Sequence, residues 1–136
     1  MQIRAFLRGQ AFLILGDVLV LSLVTVTGFA SHGTAGTAGI RMLTTWLPLV
    51  AAWFLLAPFL GAYDPDRILQ PNQLWRPFWA MVLAAPMAAF LRGVMLEMPI
   101  QPIFVVVLGG VSALSLLAWR SVYLFIKRRI NARRKI

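Results

Sequence analysis

The feature that most constrains this chain is a series of four long apolar runs separated by short polar connections. They lie near residues 10–31, 42–61, 74–93 and 102–126. A helix needs about 20 mostly apolar residues to cross roughly 30 Å of hydrocarbon, and each run is long enough. Hydrophobic residues make up 60% of the chain and charged residues 12%, which leaves little sequence for a soluble domain. The sequence therefore predicts an all-α polytopic membrane protein, a single transmembrane domain folded as an antiparallel four-helix bundle.

The basic residues cluster where the apolar runs end, and they give a formal net charge of +9. Arg4 and Arg8 precede the first run. Six more follow the last run: Lys127, Arg128, Arg129, Arg133, Arg134 and Lys135. Lys and Arg accumulate on the cytoplasmic side of membrane proteins, so both termini are predicted to be cytoplasmic, in a prokaryotic plasma membrane. Residues 127–136 are predicted to form a basic tail that orients the protein and attracts anionic lipid headgroups.

The composition offers little material for catalysis. The chain has no cysteine, one histidine and four acidic residues, so thiolate metal sites and cysteine nucleophiles are excluded. Glycine-rich phosphate loops, metal-ligand spacings and catalytic motifs are absent from the sequence. We therefore expect a protein that is not an enzyme and holds no cofactor or metal. We also expect no nucleic-acid partner, because the basic tail lacks interleaved aromatic residues and a folded module to present it.

One acidic residue interrupts the first apolar run. Asp17 lies about eight residues into that run, roughly 12 Å along the helix axis, where an unpaired carboxylate costs about 2.5 to 3.5 kcal/mol. Arg120 lies about seven residues before Lys127 in the last run, at a matching depth of about 10 Å from the same side. The sequence predicts that Asp17 and Arg120 form an intramembrane polar pair. That pair could be a structural pin between the first and fourth helices, or part of a proton or ion relay.

A second polar group is predicted at the outer face. The first run delivers His32 there, the third run ends near Arg92, and Glu97 follows in the short connection to the fourth run. His32 could titrate near neutral pH or bind a ligand, although a lone interfacial histidine is commonly a solvated residue. Arg92 is expected to hold either Glu97 or a lipid phosphate.

Small residues recur four apart in the third and fourth runs. They are Ala80, Ala84 and Ala88 in the third, and Gly109 and Ala113 in the fourth. In lipid, helices associate through close van der Waals approach, which such spacing allows. These residues predict the contact faces of the two helices. The inner connection, residues 62–73, contains two prolines and turn-forming Asp and Asn, and is expected to be a structured loop without a further helical element.

Several short elements, in their order along the chain, resemble an uncharacterised family of small four-helix membrane proteins, domain of unknown function 3054. The elements are Gly16-Asp17, Ser31-His32-Gly33, Pro48 with Trp53, Phe90-Leu91-Arg92 and Trp119-Arg120. The resemblance covers most of the chain, although Leu49 stands where an aromatic residue is expected after Pro48. It implies that Asp17, His32, Arg92 and Arg120 belong to a family pattern, and it implies no activity or cofactor.

Two functions from different classes fit these observations. The first is a non-enzymatic accessory, scaffold or assembly subunit of a larger membrane complex, with other membrane subunits or a second copy of the chain as partner beside the lipid bilayer. The second is a small oligomeric transporter or channel that uses Asp17 and Arg120. The first suits a chain with one buried acid and one buried base, and the second requires a wet path through or between protomers.

Reporter fusions test the predicted topology. A reporter that is active only outside the cytoplasm should stay silent at either terminus, because the basic clusters keep both ends inside. The same reporter fused within the 94–101 connection should be active. Activity at either terminus would contradict the topology.

Overall fold

Four long helices make up the computed structural model, which describes residues 2–31 and 39–136. They are α1 (Gln2–Ser31), α2 (Gly39–Leu56), α3 (Trp75–Leu96) and α4 (Pro102–Arg134). No strand occurs in these two ranges. Each helix is long and apolar enough to cross a membrane. The predicted all-α membrane protein with four helices is confirmed.

The helices pack in the order of the chain, and the bundle closes on itself. α1 packs on α2, α2 on α3 and α3 on α4, and α4 returns to α1. A hydrogen bond from the Tyr123 hydroxyl to the Gly9 carbonyl, 3.2 Å long, joins the start of α1 to the last part of α4. The beginning of α1, the end of α4 and the 57–74 connection therefore lie at one end of the bundle, called the terminal end below. The 97–101 connection lies at the opposite end.

The second helix is shorter than the apolar run that predicts it. It ends at Leu56 and not near Gly61, because Ala57 precedes Pro58 and a residue before proline is disfavoured in helical geometry. Turns follow, and Gly61 has a φ of +74°, which glycine adopts without steric cost. The prediction that the 62–73 connection contains no helical element is wrong in one respect, since Pro71–Gln73 forms a single 3₁₀ turn that begins with proline.

The fourth helix is longer than its apolar run. It continues through the basic segment to Arg134, so most of residues 127–136 are its exposed final turns. Arg133 and Arg134 lie in the last turn, where positive charge is favoured by the helix dipole. The predicted tail is therefore mainly a rigid extension of α4.

The small residues of α3 and α4 lie in the core as predicted. Ala80, Ala84 and Ala113 are fully buried and Ala88 is nearly so. A Cβ placed on Gly109 would come within 2.7 Å of the Ala85 Cβ, which shows how closely the two helices approach. The predicted contact faces are confirmed.

Burial is unequal around the bundle. In the most apolar stretch of α1 and of α4, 22% of residues are buried, compared with 33% in α2 and α3. The outward sides of α1 and α4 carry large exposed apolar residues: Phe12, Leu15, Leu19, Leu23, Ile103, Val106, Val107 and Leu114. In a bilayer, such sides contact lipid or another protein.

Two adjacent glycines of α4 provide a matched test of the α3–α4 contact. Gly109→Ala should destabilise the fold, because its new Cβ meets the rigid Ala85 Cβ and such overpacking typically costs about 1–3 kcal/mol. Gly110→Ala should be neutral or slightly stabilising, since a Cβ there meets nothing within 4 Å. Thermal unfolding of both variants in one detergent, followed by circular dichroism, measures the difference. Equal melting temperatures would contradict the close contact.

Candidate functional site

The predicted intramembrane pair is present as a two-point ion pair between α1 and α4. Arg120 donates from Nε to Asp17 Oδ1 at 3.1 Å and from Nη2 to Asp17 Oδ2 at 2.7 Å. Asp17 is 0% exposed and Arg120 is 5% exposed. This parallel geometry matches the guanidinium fork to the carboxylate and is among the strongest polar contacts in proteins. Both charges are therefore removed from solvent together.

The connection between α2 and α3 supplies the remaining partners of the pair. Arg120 donates from Nη1 to the Ala62 carbonyl at 2.6 Å, and the Tyr63 hydroxyl donates to Asp17 Oδ2. Trp53 on α2 then donates its indole N–H to the Tyr63 hydroxyl at 2.9 Å. We call Asp17, Trp53, Ala62, Tyr63 and Arg120 the inner network. All three nitrogens of Arg120 donate within it, and both oxygens of Asp17 accept.

Tyr63 acts in this network as a proton donor. Burial raises the pKa of its phenol, and the neighbouring Asp17 carboxylate raises that pKa further, while the charge of Arg120 opposes the change. The hydroxyl therefore stays protonated. The Arg120 guanidinium also lies over the Tyr63 ring, 4.9 Å from its centroid, which adds a cation–π contact.

The backbone of the connection is also held in place by contacts to α1 and α3. Gln10 on α1 donates to the Tyr63 carbonyl at 3.1 Å, and Arg76 on α3 donates to the Leu60 carbonyl at 2.7 Å. Gly61 turns the chain between these two anchors, and a side chain there would press on Arg67 and Arg76. These contacts bring the Ala62 carbonyl and the Tyr63 side chain back into the bundle.

Close packing of α1 on α4 sets the register of the ion pair. The Trp119 ring lies directly against Gly16, where a Cβ would be only 1.9 Å from a ring carbon. Phe12 and Tyr123 flank the same ring at centroid distances of 5.9 Å each. Since Gly16 precedes Asp17 and Trp119 precedes Arg120, this packing brings the two charged residues to the same level.

A small polar cavity adjoins the network on the side of the connection. Its volume is about 10 Å³, room for about one water molecule. Arg120 lies on its wall with Arg67, Gln70, Gln73 and Arg76. Polar and basic side chains from the connection and from α3 therefore border the inner network on this side.

The second predicted group consists of His32, Arg92 and Glu97 at the opposite end of the bundle. The structure shows no ion pair between the two members that it describes, Arg92 and Glu97. His32 lies outside residues 2–31 and 39–136. Arg92 donates from Nε to Thr45 Oγ1 on α2 at 3.1 Å, and no ion pair joins it to Glu97 within the described ranges. Glu97 is exposed and ends α3 in a left-handed conformation with a φ of 50°. The expected ion pair between Arg92 and Glu97 is therefore not formed among the described residues.

The basic residues after the fourth apolar run lie on the final turns of α4 and at its C-cap, Lys135. Two of them stack on aromatic rings of the same helix. Lys127 lies 5.7 Å from the Tyr123 ring centroid, and Arg129 lies 4.9 Å from that of Phe125. The stacking positions the basic side chains beside the last apolar turns, where lipid headgroups border the hydrocarbon.

Sequence reasoning missed three members of the inner network. The sequence pattern indicates no role for Tyr63, and it indicates Trp53 only as part of a family pattern. Both carry a polar tip that needs a partner when buried, and that signal pointed to a buried acceptor such as Asp17. The Ala62 carbonyl is a backbone group, so no side-chain pattern could identify it.

Comparison with known protein families identifies a match over most of the chain. Residues 14–123 match the family described as "Protein of unknown function (DUF3054)". The chain belongs to this family. The matched region begins just before Gly16 and ends at Tyr123, so it contains the whole inner network. No curated protein and no solved structure matches the chain.

Removing the charge of Asp17 should destabilise the fold strongly. Asp17→Asn leaves Arg120 buried without a counter-charge, and breaking a buried pair in this way costs roughly 3–5 kcal/mol. Asp66→Asn is the matched control, because Asp66 is exposed in the 57–74 connection. Thermal unfolding in one detergent measures both variants.

The double variant Asp17→Asn/Arg120→Gln separates charge from packing. It removes both charges, so it should regain part of the stability that Asp17→Asn loses. Their coupling then follows from the double-mutant cycle. A single variant Asp17→Asn as stable as Asp66→Asn would contradict the role of the pair.

Proposed function

We propose that this chain is a non-enzymatic accessory, scaffold or assembly subunit of a larger membrane complex. The observation that carries the proposal is that the inner network is closed. Each oxygen of Asp17 and each nitrogen of Arg120 has a partner within the fold. Groups used in this way pin helices together, and they are not poised to exchange protons or ions with a substrate.

The outward sides of α1 and α4 supply the surface for a partner. The most apolar stretches of α1 and α4 are less buried than those of α2 and α3, and their outward sides carry apolar side chains of varied size. On α4, a Cβ placed on Gly110 would have no atom within 4 Å. In lipid, a glycine on an exposed helix face lets another helix approach closely. A partner helix, or a second copy of this chain, would contact the bundle there. The complex would lie in a prokaryotic plasma membrane with both termini of this chain in the cytoplasm.

A second candidate, an oligomeric transporter or channel, is favoured by one observation. Arg120 lies on the wall of the small polar cavity that adjoins the 57–74 connection, so the buried pair is close to a site where water can reside. Transport would require that this cavity open and that a path continue to the opposite end. Charged residues within membrane segments commonly mark such paths.

One pair of measurements separates the two candidates. The protein is purified in mild detergent and its assembly is followed on native gels, and the same preparation is reconstituted into liposomes for proton and solute flux. For a subunit, Asp17→Asn should lower the yield of the assembled complex, and neither wild type nor variant should give flux above protein-free liposomes. The Asp66→Asn variant controls for handling.

Proton or solute flux through the reconstituted protein would contradict the proposed subunit function. Robust flux by the wild type, lost in Asp17→Asn while the variant still folds and assembles, would refute the subunit and favour the transporter. A wild type that migrates as a lone monomer in every mild detergent and from native membranes would also refute the subunit.

A further inference from the structure

A lateral cavity of about 540 Å³ opens between α1 and α4 toward the opposite end of the bundle. Its lining includes Val24, Thr25, Thr45, Arg92, Phe104 and Val107. Phe104 and Arg120 are 16 residues apart on α4, about 24 Å along the axis. The lateral cavity is therefore distinct from the inner network. Its volume falls within the range of about 300–1,000 Å³ that is typical of small-molecule sites.

The walls of the lateral cavity show where an occupant would enter. Its floor is buried, since Val24 is 8% exposed and Thr25 and Thr45 are each 4% exposed. Its rim is open, because Val107 and Val111 lie exposed on the outward side of α4. In a bilayer that side faces acyl chains. An occupant therefore comes from the lipid phase and is largely apolar.

One fixed positive charge borders this apolar space. The Arg92 guanidinium is held on one side by its bond to Thr45 Oγ1, and it lies over the Phe104 ring at 4.9 Å from the centroid. Both contacts are with residues that line the lateral cavity. They restrain Nε and one face of the guanidinium, and no carboxylate of the described residues forms an ion pair with it. Among the residues that the structure describes, the hydrogen bond to Thr45 uses only Nε, so Nη1 and Nη2 can donate to an anion.

The position of Arg92 along α3 matches a lipid headgroup. It lies four residues before the end of the helix at Leu96, about 6 Å inside it. A guanidinium binds phosphate in a two-point geometry that few other side chains provide. A phospholipid brings an acyl chain and a phosphate at this spacing from the phase toward which the cavity opens.

We infer that the lateral cavity binds one anionic phospholipid, with an acyl chain against Val24 and Val107 and the headgroup phosphate on Arg92. The two parts of the site act together. The apolar walls shield the acyl chain, and the anion compensates a cation that would otherwise border hydrocarbon alone. Zwitterionic phospholipid binds less tightly, because its positive headgroup charge lies near Arg92.

Native mass spectrometry of the delipidated protein tests this inference. Phosphatidylglycerol or phosphatidylcholine is added in defined amounts, and bound lipids per chain are counted. Wild type should bind one phosphatidylglycerol more tightly than phosphatidylcholine. Arg92→Gln should weaken that first binding step about tenfold, as expected for losing a charge-assisted contact. Val107→Phe should also weaken it, since it narrows the cavity and keeps the charge.

Arg67→Gln is the matched control, because Arg67 is also an arginine but forms an ion pair with Asp64 in the 57–74 connection and does not line the lateral cavity. It should change the first binding step by less than about twofold. Each variant is checked for its melting temperature without added lipid. Because Val107 is exposed, Val107→Phe still tests the site if Arg92→Gln does not fold.

Four results would overturn the inference. They are equal binding of the two phospholipids, equal effects of Arg92→Gln and Arg67→Gln, unchanged binding in Val107→Phe, and displacement of phosphatidylglycerol by an equimolar amount of palmitate. The last result would assign the site to a fatty-acid carboxylate.

Discussion

The ion pair between Asp17 and Arg120 is the constraint on which the rest of the bundle depends. Neither charge is tolerable alone in a region without water, so α1 and α4 must meet at one register. A guanidinium also has five N–H donors, and one carboxylate does not occupy them all. The chain meets this demand by ending α2 early, before Pro58, and by turning the 57–74 connection back so that Ala62 and Tyr63 reach the pair. The fold of the connection is thus a consequence of the charge it surrounds.

Much of this arrangement could be predicted from the sequence, because the features that determine it are local runs of residues or residues at regular spacing. Four apolar runs of spanning length predict the helices, and small residues four apart in α3 and α4 predict their contact. The partners Asp17 and Arg120 follow from equal depth in antiparallel helices. Each of these inferences depends only on the rise per residue of an α-helix and on the hydrophobicity, size or charge of single side chains.

The rest depends on tertiary geometry that no linear pattern encodes. Tyr63 reaches Asp17 only because Gly61 turns the backbone inward, and the Ala62 carbonyl has no side-chain signature. Helix ends were also displaced: a proline shortened α2, and a basic segment with good helix formers lengthened α4. Arg92 was assigned to the correct end of the bundle, but its bond to Thr45 depends on how α2 and α3 are rotated relative to each other.

The ion pair joins positions 103 residues apart, the first helix to the last, and this separation bears on biogenesis. A ribosome delivers α1 to the membrane long before α4 is made, so Asp17 enters the bilayer without its counter-charge. Until α4 is synthesised, α1 carries the cost of that unpaired acid in the bilayer. The insertion of α4 then supplies the counter-charge, so the α1–α4 contact and the neutralisation of Asp17 occur in one step.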